Sequence, residues 1–261
     1  WAKYLKKRGV NVIGVTLSEP QKQMCENNKI KVFLEDYRKF IVETNKTFDA
    51  VSCIGSLEHL TSGGMTMNEE ERIHNEFFRN INRILKPGAM AIITGCNMNP
   101  KYEGWTIYSN EKNKSNKYNF KDYVHMYNIA SFYGCGRYPH LNDYKKYLNN
   151  FFMIDNIKNI TEDYRWAGIR FGENHWQNSK IFINTPYRFA KLFQYILTDP
   201  YIIGRLNYSF MKSWYWQLGG NSTSPKINND NSPAIVNCYV LKKKNYNKEW
   251  KSDPEVFKLM N

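Results

Sequence analysis

The chain has 261 residues, enough for one large domain or two small ones, and 42% of them are hydrophobic, enough to form a core. Its 37 Lys and Arg residues outnumber its 24 Asp and Glu residues, giving a net charge of +13. Such an excess attracts phosphate-bearing surfaces, either anionic lipid or nucleic acid, although scattered basic residues are equally typical of an ordinary solvated surface. No apolar run reaches the roughly 18 residues of a membrane span, so no transmembrane segment is predicted.

The five cysteines and five histidines are dispersed along the chain. There is no C-x-x-C pair and no cluster with metal-ligand spacing, so neither a disulfide framework nor a metal site is predicted. Cysteines used in this way indicate a reducing compartment, and we expect a cytoplasmic protein. The 19 Tyr, 15 Phe and 7 Trp residues exceed what a compact core needs and favour a lined channel or pocket.

The predicted elements of the first hundred residues alternate between helices and strands. Helices are predicted over 1–8, 20–28 and 68–85, and strands over 10–15, 31–34, 48–54 and from 89 onwards. In the longest helix Ile73, Phe77 and Ile81 recur at helical spacing, and Pro87 with Gly88 ends it. Alternation at this pitch predicts an α/β fold with a parallel sheet covered by helices.

The second half of the chain follows a different pattern. Residues 97–150 are rich in Asn, Lys and Tyr and are predicted to be an insertion, in the role of a helical lid. The predicted elements after it are a strand over 151–160, helices over 166–197 and 206–218, a polar loop over 219–233 and a final antiparallel strand over 234–241. The predicted division of the chain is therefore 1–96, the insertion 97–150, the remainder 151–243 and a polar tail 244–261.

Polar side chains follow three of the predicted strands. Because ligands of parallel sheets bind at the carboxyl ends of the strands, 16–21, 36–38 and 54–59 are predicted to surround one crevice. Thr16, with Ser18 and Gln21 beside it, offers hydroxyl and amide groups for a ribose or a carboxylate at the start of a helix.

The second strand end adds an acidic and an aromatic residue. Asp36 offers an acceptor for an adenine amino group, and Tyr37 offers a ring on which a base can stack. The alternative is structural: Thr16 and Ser18 cap a helix, and Asp36 closes a turn.

Four segments in this order and at this spacing resemble one family. They are VIGVTLSEPQ (12–21), FLEDYRKF (33–40), FDAVSCIGSLEHL (48–60) and NRILKPGAMAIIT (82–94). They resemble the S-adenosylmethionine-dependent methyltransferases of the cyclopropane-fatty-acyl-phospholipid synthase group, which includes the mycolic acid cyclopropane synthases. Two later stretches, IKNITEDYRWAG and YSFMKSWYWQLGG, extend the resemblance over most of the chain. It implies a Rossmann-like class I methyltransferase fold, with helices on both faces of the sheet and acceptor-binding helices within 151–243.

The resemblance also implies functional residues. The predicted cofactor-binding residues, in the part of the domain spanning 1–96, are Thr16, Leu17, Ser18, Gln21, Asp36, Tyr37 and Ile54. Glu58 and Tyr164 match family positions that hold a bicarbonate ion thought to act as the base, so they are the predicted catalytic residues, and S-adenosylmethionine and bicarbonate are the implied cofactors. A base is needed because the alkene that takes the methyl group becomes a carbocation, which must lose a proton before a cyclopropane ring closes.

The chain departs from the family in two ways. Thr94 stands where the family carries a histidine, so a hydroxyl replaces one bicarbonate ligand. In addition, the first strand and the glycine-rich loop of the fold would lie upstream of Trp1, and that strand runs between the strands at Val10 and Ala50. We therefore expect either part of a longer protein or an inactive remnant that folds poorly, because two inner strand edges would lack partners.

The leading hypothesis is a methyltransferase that adds a methylene group to a cis double bond of a lipid acyl chain, docked peripherally on an anionic membrane. One alternative keeps the cofactor but takes a sterol or another small acceptor. The other is a cofactor-free, inactive binding or scaffold protein on membranes or nucleic acid. Nucleic-acid methylation is disfavoured because the chain has neither an N/D-P-P-Y/F motif nor a cysteine in a Pro-Cys loop.

Overall fold

The computed structural model describes residues 1–61, 65–99, 138–164 and 234–245, with 190, 193–194 and 197–198 as isolated helical positions. The helices are α1 (Ala2–Lys7), α2 (Glu19–Asn27), α3 (Tyr37–Glu43), α4 (Met67–Ile84) and α5 (Leu141–Asn149), with a short 3₁₀ helix at Leu57–His59. The strands are β1 (Ile13–Thr16), β2 (Lys31–Leu34), β3 (Phe48–Cys53), β4 (Leu85–Met98), β5 (Phe152–Asn159) and β6 (Ala234–Lys243).

The described strands form two separate sheets. In the smaller sheet β1 and β2 are parallel, with Thr16 opposite Leu34. In the larger sheet the order is β3-β4-β6-β5, in which β3 and β4 are parallel and β6 is antiparallel to both of its neighbours. The α/β fold and the antiparallel final strand are thereby confirmed. The division between β1 and β3 falls where the resemblance places an additional central strand.

The predicted elements of the first hundred residues all exist; β2 has the predicted bounds, and the ends of the other elements move by one to four residues. Helix α4 begins one residue earlier than predicted, because Thr66 and Glu69 form a reciprocal capping box at its start. The following strand is longer than predicted: it begins at Leu85 and includes the Pro87–Gly88 turn residues. Helix α3 was not predicted as a separate element; the side chain of Asp36 caps it by accepting from the backbone N–H of Arg38.

The end of the segment predicted to be an insertion is a core helix. In α5 the side chains of Tyr144, Tyr147 and Leu148 are 0 to 2% exposed and belong to the same hydrophobic cluster as α4 and the large sheet. The buried face of this helix consists mainly of tyrosine rather than leucine side chains, so the helix looked polar in the sequence. The boundary predicted at residue 150 therefore lies beyond a helix that packs with the large sheet.

Two hydrophobic clusters hold the described elements together. The larger cluster joins the helices α4 and α5 to the strands β4 and β6. It includes Phe78, Leu85 and Tyr239, whose side chains are 0% exposed. The smaller one centres on Phe40 and Ile41 of α3. Partly buried residues of both sheets pack against that smaller cluster, namely Ile13 and Val15 of β1 and Phe48 and Val51 of β3. Helix α3 therefore connects the two sheets.

Several predicted elements lie outside the described residues. They are most of the insertion over 97–150, most of the helix over 166–197, the helix over 206–218, the loop over 219–233 and nearly all of the tail over 244–261. Within the part of the chain that the structure describes, no helix has both the length and the apolar character needed to cross a membrane.

Candidate active site

The segment after β3 turns sharply and brings Glu58 into the protein. Gly55 has φ of +64°, a backbone conformation that favours glycine, and it allows the chain to leave β3 and enter the 3₁₀ helix Leu57–His59. Leu57 is 1% exposed and anchors this helix in the large hydrophobic cluster. As a result, the next residue, Glu58, is only 6% exposed.

Burial changes the chemistry of Glu58. Desolvation raises the pKa of its carboxyl group from the ordinary value of 4.5 to about 6, against a smaller lowering by a hydrogen bond with its own backbone. Its Oε2 atom is buried and has no hydrogen-bond partner among the described residues. A buried carboxylate without a cationic partner is costly, and groups of this kind concentrate at functional sites.

Tyr164 and Thr94 lie beside Glu58. A Cβ atom placed on Gly55 would lie 3.8 Å from Glu58 Oε1 and 3.9 Å from the Tyr164 hydroxyl oxygen, so the two predicted catalytic side chains approach the same point. Thr94 Oγ1 accepts a hydrogen bond of 2.9 Å from the backbone N–H of Gly55 and lies 3.5 Å from the Tyr164 hydroxyl oxygen. The structure therefore brings together one carboxyl and two hydroxyl groups at the carboxyl end of β3, beside Thr94 of β4.

The titratable neighbours of Glu58 are uncharged near neutral pH. Burial is the largest cause of the raised pKa of Tyr164, and the charge of Glu58 raises this pKa further. Burial raises the pKa of the Cys53 thiol to about 11, again with a contribution from Glu58. Glu58 is thus the group of this cluster with a pKa of about 6. Burial lowers the pKa of the neighbouring His59.

The end of β1 is a ring of hydrogen bonds among the predicted cofactor-binding residues. The Thr16 hydroxyl donates to Gln21 Oε1 at 2.8 Å and accepts from the backbone N–H of Ser18 at 3.2 Å. Ser18 caps α2 by accepting from the backbone N–H of Gln21 at 3.4 Å. The structural alternative, in which Thr16 and Ser18 cap a helix, describes these bonds; a role in binding a cofactor remains a prediction.

Asp36 and Tyr37 lie at the adjacent end of β2. The Glu35 N–H donates to the Thr16 carbonyl at 3.0 Å, so the two strand ends meet. The Asp36 carboxylate forms an ion pair with the Arg38 guanidinium, and hydrogen bonds from that side chain lower the pKa of Asp36. The Tyr37 ring packs edge-on against Phe77 at 5.5 Å between centroids, so it contributes to the core in addition to any contact with a base.

Leu17 and Ile54 are exposed apolar residues at strand ends. Leu17 is 76% exposed after β1, and Ile54 is 42% exposed after β3. The predicted site residues thus fall into two groups, one at the end of the small sheet and one at the end of the large sheet around Glu58. The contact that positions the second group was missed in the sequence analysis: Leu57 packs on Gly95 of β4, and a lone glycine inside an apolar strand was its only signal.

Comparison with known proteins agrees with this fold. Residues 1–93 match the family model described as "Methyltransferase domain". A comparison with curated proteins found no match.

Among solved structures, a mycolic acid cyclopropane synthase complexed with SAH and CTAB is 16% identical, with a TM-score of 0.60 over 92% of this chain and 73% of that chain. The cyclopropane synthase MmaA2 from Mycobacterium tuberculosis is 15% identical, with a TM-score of 0.58 over 92% and 72%. Coclaurine N-methyltransferase, bound to N-methylheliamine and SAH, is 13% identical, with a TM-score of 0.55 over 91% and 62%.

At these identities the likeness shows the fold. Two of the three similar structures hold SAH. Together the domain match and the shared fold support the predicted enzyme class, an S-adenosylmethionine-dependent methyltransferase, and confirm the predicted class I methyltransferase fold.

Proposed function

We propose that the chain is a cyclopropane-synthase-like enzyme that transfers a methylene group from S-adenosylmethionine to a cis double bond of a lipid acyl chain. The observation that carries the proposal is the buried Glu58 carboxyl group beside the hydroxyls of Tyr164 and Thr94. A buried base among neutral hydroxyl groups suits a reaction in which a proton must leave a hydrocarbon.

The residues of the two strand ends fit the cofactor. Leu17 and Ile54 expose apolar side chains on which a nucleoside can pack, and the start of α2, capped by Ser18, offers backbone N–H groups to a carboxylate. In this proposal Thr16, Leu17, Ser18 and Gln21 hold the ribose and methionine side, while Asp36, Tyr37 and Ile54 lie along the adenine. When bound, S-adenosylmethionine supplies a methyl group that an electron-rich alkene can take, with the sulfur keeping the bonding electron pair.

Glu58 acts as the base in the proposed reaction. After the methyl group is attached, the acyl chain carries a carbocation. Glu58 takes a proton from the attached methyl group, and the electron pair of that C–H bond closes the three-membered ring. A pKa of about 6 keeps Glu58 ionised at pH 7 and makes it a stronger base than an exposed carboxylate.

Bicarbonate is the alternative base within the same proposal. Glu58 and Tyr164 would hold the ion, as the resemblance implies. A second anion beside Glu58 raises the pKa of that carboxyl group further. Glu58 would therefore be protonated when bicarbonate is bound and would donate a hydrogen bond to the ion. Dependence of the reaction rate on added bicarbonate distinguishes the two bases.

The lipid acceptor is supported by composition. The net charge of +13 favours docking on an anionic membrane surface, from which an acyl chain can enter an aromatic-lined pocket. We therefore propose a peripheral association with membranes.

The test uses labelled S-adenosylmethionine and anionic vesicles whose phospholipids carry cis-unsaturated chains. We expect label in the acyl chains, and a loss of roughly 10²- to 10⁴-fold in Glu58→Gln, because the amide cannot take a proton. Glu43→Gln, an exposed change in α3, is the matched control and keeps the parental rate. Label in the acyl chains at the parental rate with Glu58→Gln would contradict the role of Glu58.

A second candidate is simple methyl transfer to a sterol or another small acceptor. Thr94 favours it, because its hydroxyl already binds the Gly55 N–H and the resemblance places a bicarbonate-binding histidine there. Label in a soluble acceptor, with none in the vesicle lipids, would support this candidate. Binding to vesicles without calorimetric binding of S-adenosylmethionine would instead support an inactive membrane-binding protein.

A further inference from the structure

Gly95 lies where the 3₁₀ helix Leu57–His59 crosses β4. Strand β3 ends at Cys53, opposite Ile93, so beyond that point β4 pairs along one edge with β6, and the turn that follows β3 occupies the other side. Gly95 pairs with Asn237 of β6 and is buried. A glycine inside a strand often marks a close approach of another segment.

The approach at Gly95 leaves no room for a side chain. A Cβ atom on this residue would lie 2.9 Å from Leu57 Cδ1, 3.1 Å from Leu57 Cβ and 3.4 Å from Leu57 Cγ. The Cδ1 atom is the end of a flexible side chain, but the Cβ atom is fixed to the backbone of the 3₁₀ helix. Leu57 is also 1% exposed within the large hydrophobic cluster, so it has little space into which to move.

We propose that Gly95 is a positioning residue for Glu58: by admitting Leu57 against β4, it sets the depth at which the 3₁₀ helix holds the Glu58 carboxyl group beside Tyr164 and Thr94. Consecutive Cα atoms are only about 3.8 Å apart, so a displacement of Leu57 carries Glu58 with it. The catalytic meaning of this inference rests on the proposed function, whereas the structural part concerns the environment of Glu58 alone.

The decisive variant is Gly95→Ala. Its methyl group forces Leu57 away from β4, opens the packing around Glu58 to water and lowers the pKa of that carboxyl group from about 6 towards the ordinary value of 4.5. If the chain transfers methyl groups, kcat falls roughly 10- to 100-fold, because small displacements of a catalytic group are costly, while KM for S-adenosylmethionine changes little.

The matched control is Gly14→Ala in β1. There a Cβ atom would lie 3.2 Å from Val32 Cγ2, a crowded but less tight strand position in the small sheet. We expect the melting temperature to fall in both variants, and the pKa of Glu58 to change in Gly95→Ala alone.

The pKa is read by ¹³C NMR of protein labelled at the glutamate carboxyl carbons, with the Glu58 signal assigned by its loss in Glu58→Gln. This measurement does not depend on enzyme activity. If the chain transfers no methyl group to lipid, the proposed function is refuted, but the pKa of Glu58 still tests the role of Gly95. Among the described residues, the titratable groups that face Glu58 are Cys53 on β3, Tyr144 on α5 and Tyr164 after β5, with His59 next in the chain. None of these is a carboxyl group, so their titration is not confused with that of Glu58.

Leu57→Val probes the same contact from the other side, because it removes both Cδ atoms and keeps Cβ, which then carries two methyl groups. It loosens the 3₁₀ helix without adding volume, and we expect a smaller fall in the pKa of Glu58. If Gly95→Ala does not fold, the result from Leu57→Val decides. A parental pKa of Glu58 in a folded Gly95→Ala chain, or in Leu57→Val where the former does not fold, would overturn the proposal.

Discussion

The two sheets differ in how firmly their site residues are held. In the small sheet no residue of β1 is buried, and neither α1 nor α2 contributes a buried residue. In the large sheet Leu85, Ile93 and Tyr239 are fully buried among aromatic residues of α4 and α5. The proposed catalytic group is therefore built on a rigid core, whereas the proposed cofactor-binding group depends mainly on local hydrogen bonds.

The largest expected effect is the loss of a core ring in the large sheet. Phe78 is 0% exposed, and Phe78→Ala should destabilise the protein by about 3 to 5 kcal/mol. The matched change in the small sheet is Phe33→Ala in β2, where the ring is only partly buried, and we expect about 1 to 2 kcal/mol. Urea unfolding measures both values. Equal losses would remove the distinction between the two sheets.

The next effect concerns the cost of burying Glu58. Its carboxyl group binds a proton more tightly in the folded protein, so folding stability falls as the pH rises from about 4.5 to about 6. Glu58→Gln should therefore stabilise the protein by about 2 kcal/mol at pH 7 and by much less below pH 4.5, while it slows the proposed transfer to lipid. Urea unfolding at the two pH values tests this, and a variant less stable than its parent at pH 7 would contradict it.

A smaller effect is expected at the hydroxyl next to Glu58. Tyr164→Phe removes the group that lies 3.5 Å from Thr94 Oγ1 and keeps the ring. We expect the rate of methyl transfer to fall about tenfold, or about 1.4 kcal/mol, with little change in melting temperature. Thr161→Ser, in the same segment, is the control. If Tyr164→Phe keeps the parental rate, this hydroxyl takes no part in the reaction.

The smallest effect is expected at the cap of α2. Ser18→Ala removes the acceptor of the Gln21 N–H and should cost about 0.5 to 1 kcal/mol, since the bond is exposed and long at 3.4 Å. Calorimetry would show weaker binding of S-adenosylmethionine if this helix start holds the cofactor. Unchanged binding together with reduced stability would leave Ser18 as a cap alone.

Local sequence was sufficient for the elements that have strong periodicity. Apolar residues at helical spacing gave α4, with Phe77 and Ile81 in the core as expected. The same approach failed for α5, because its buried face consists of Tyr144, Tyr147 and a single leucine, Leu148. Tyrosine is common both at surfaces and in cores, so only packing against α4 and β5 decided that this helix is buried.

The sequence by itself determined the alternation of strands and helices over the first hundred residues and the methyltransferase class, because both depend on local spacing and on motifs of a few residues. The tertiary structure decided the state of Glu58. Its neighbours come from distant segments: Gly55 and Thr94 are 39 residues apart, and Thr94 and Tyr164 are 70 apart. A raised pKa results from the exclusion of water, and water is excluded only when those segments pack together.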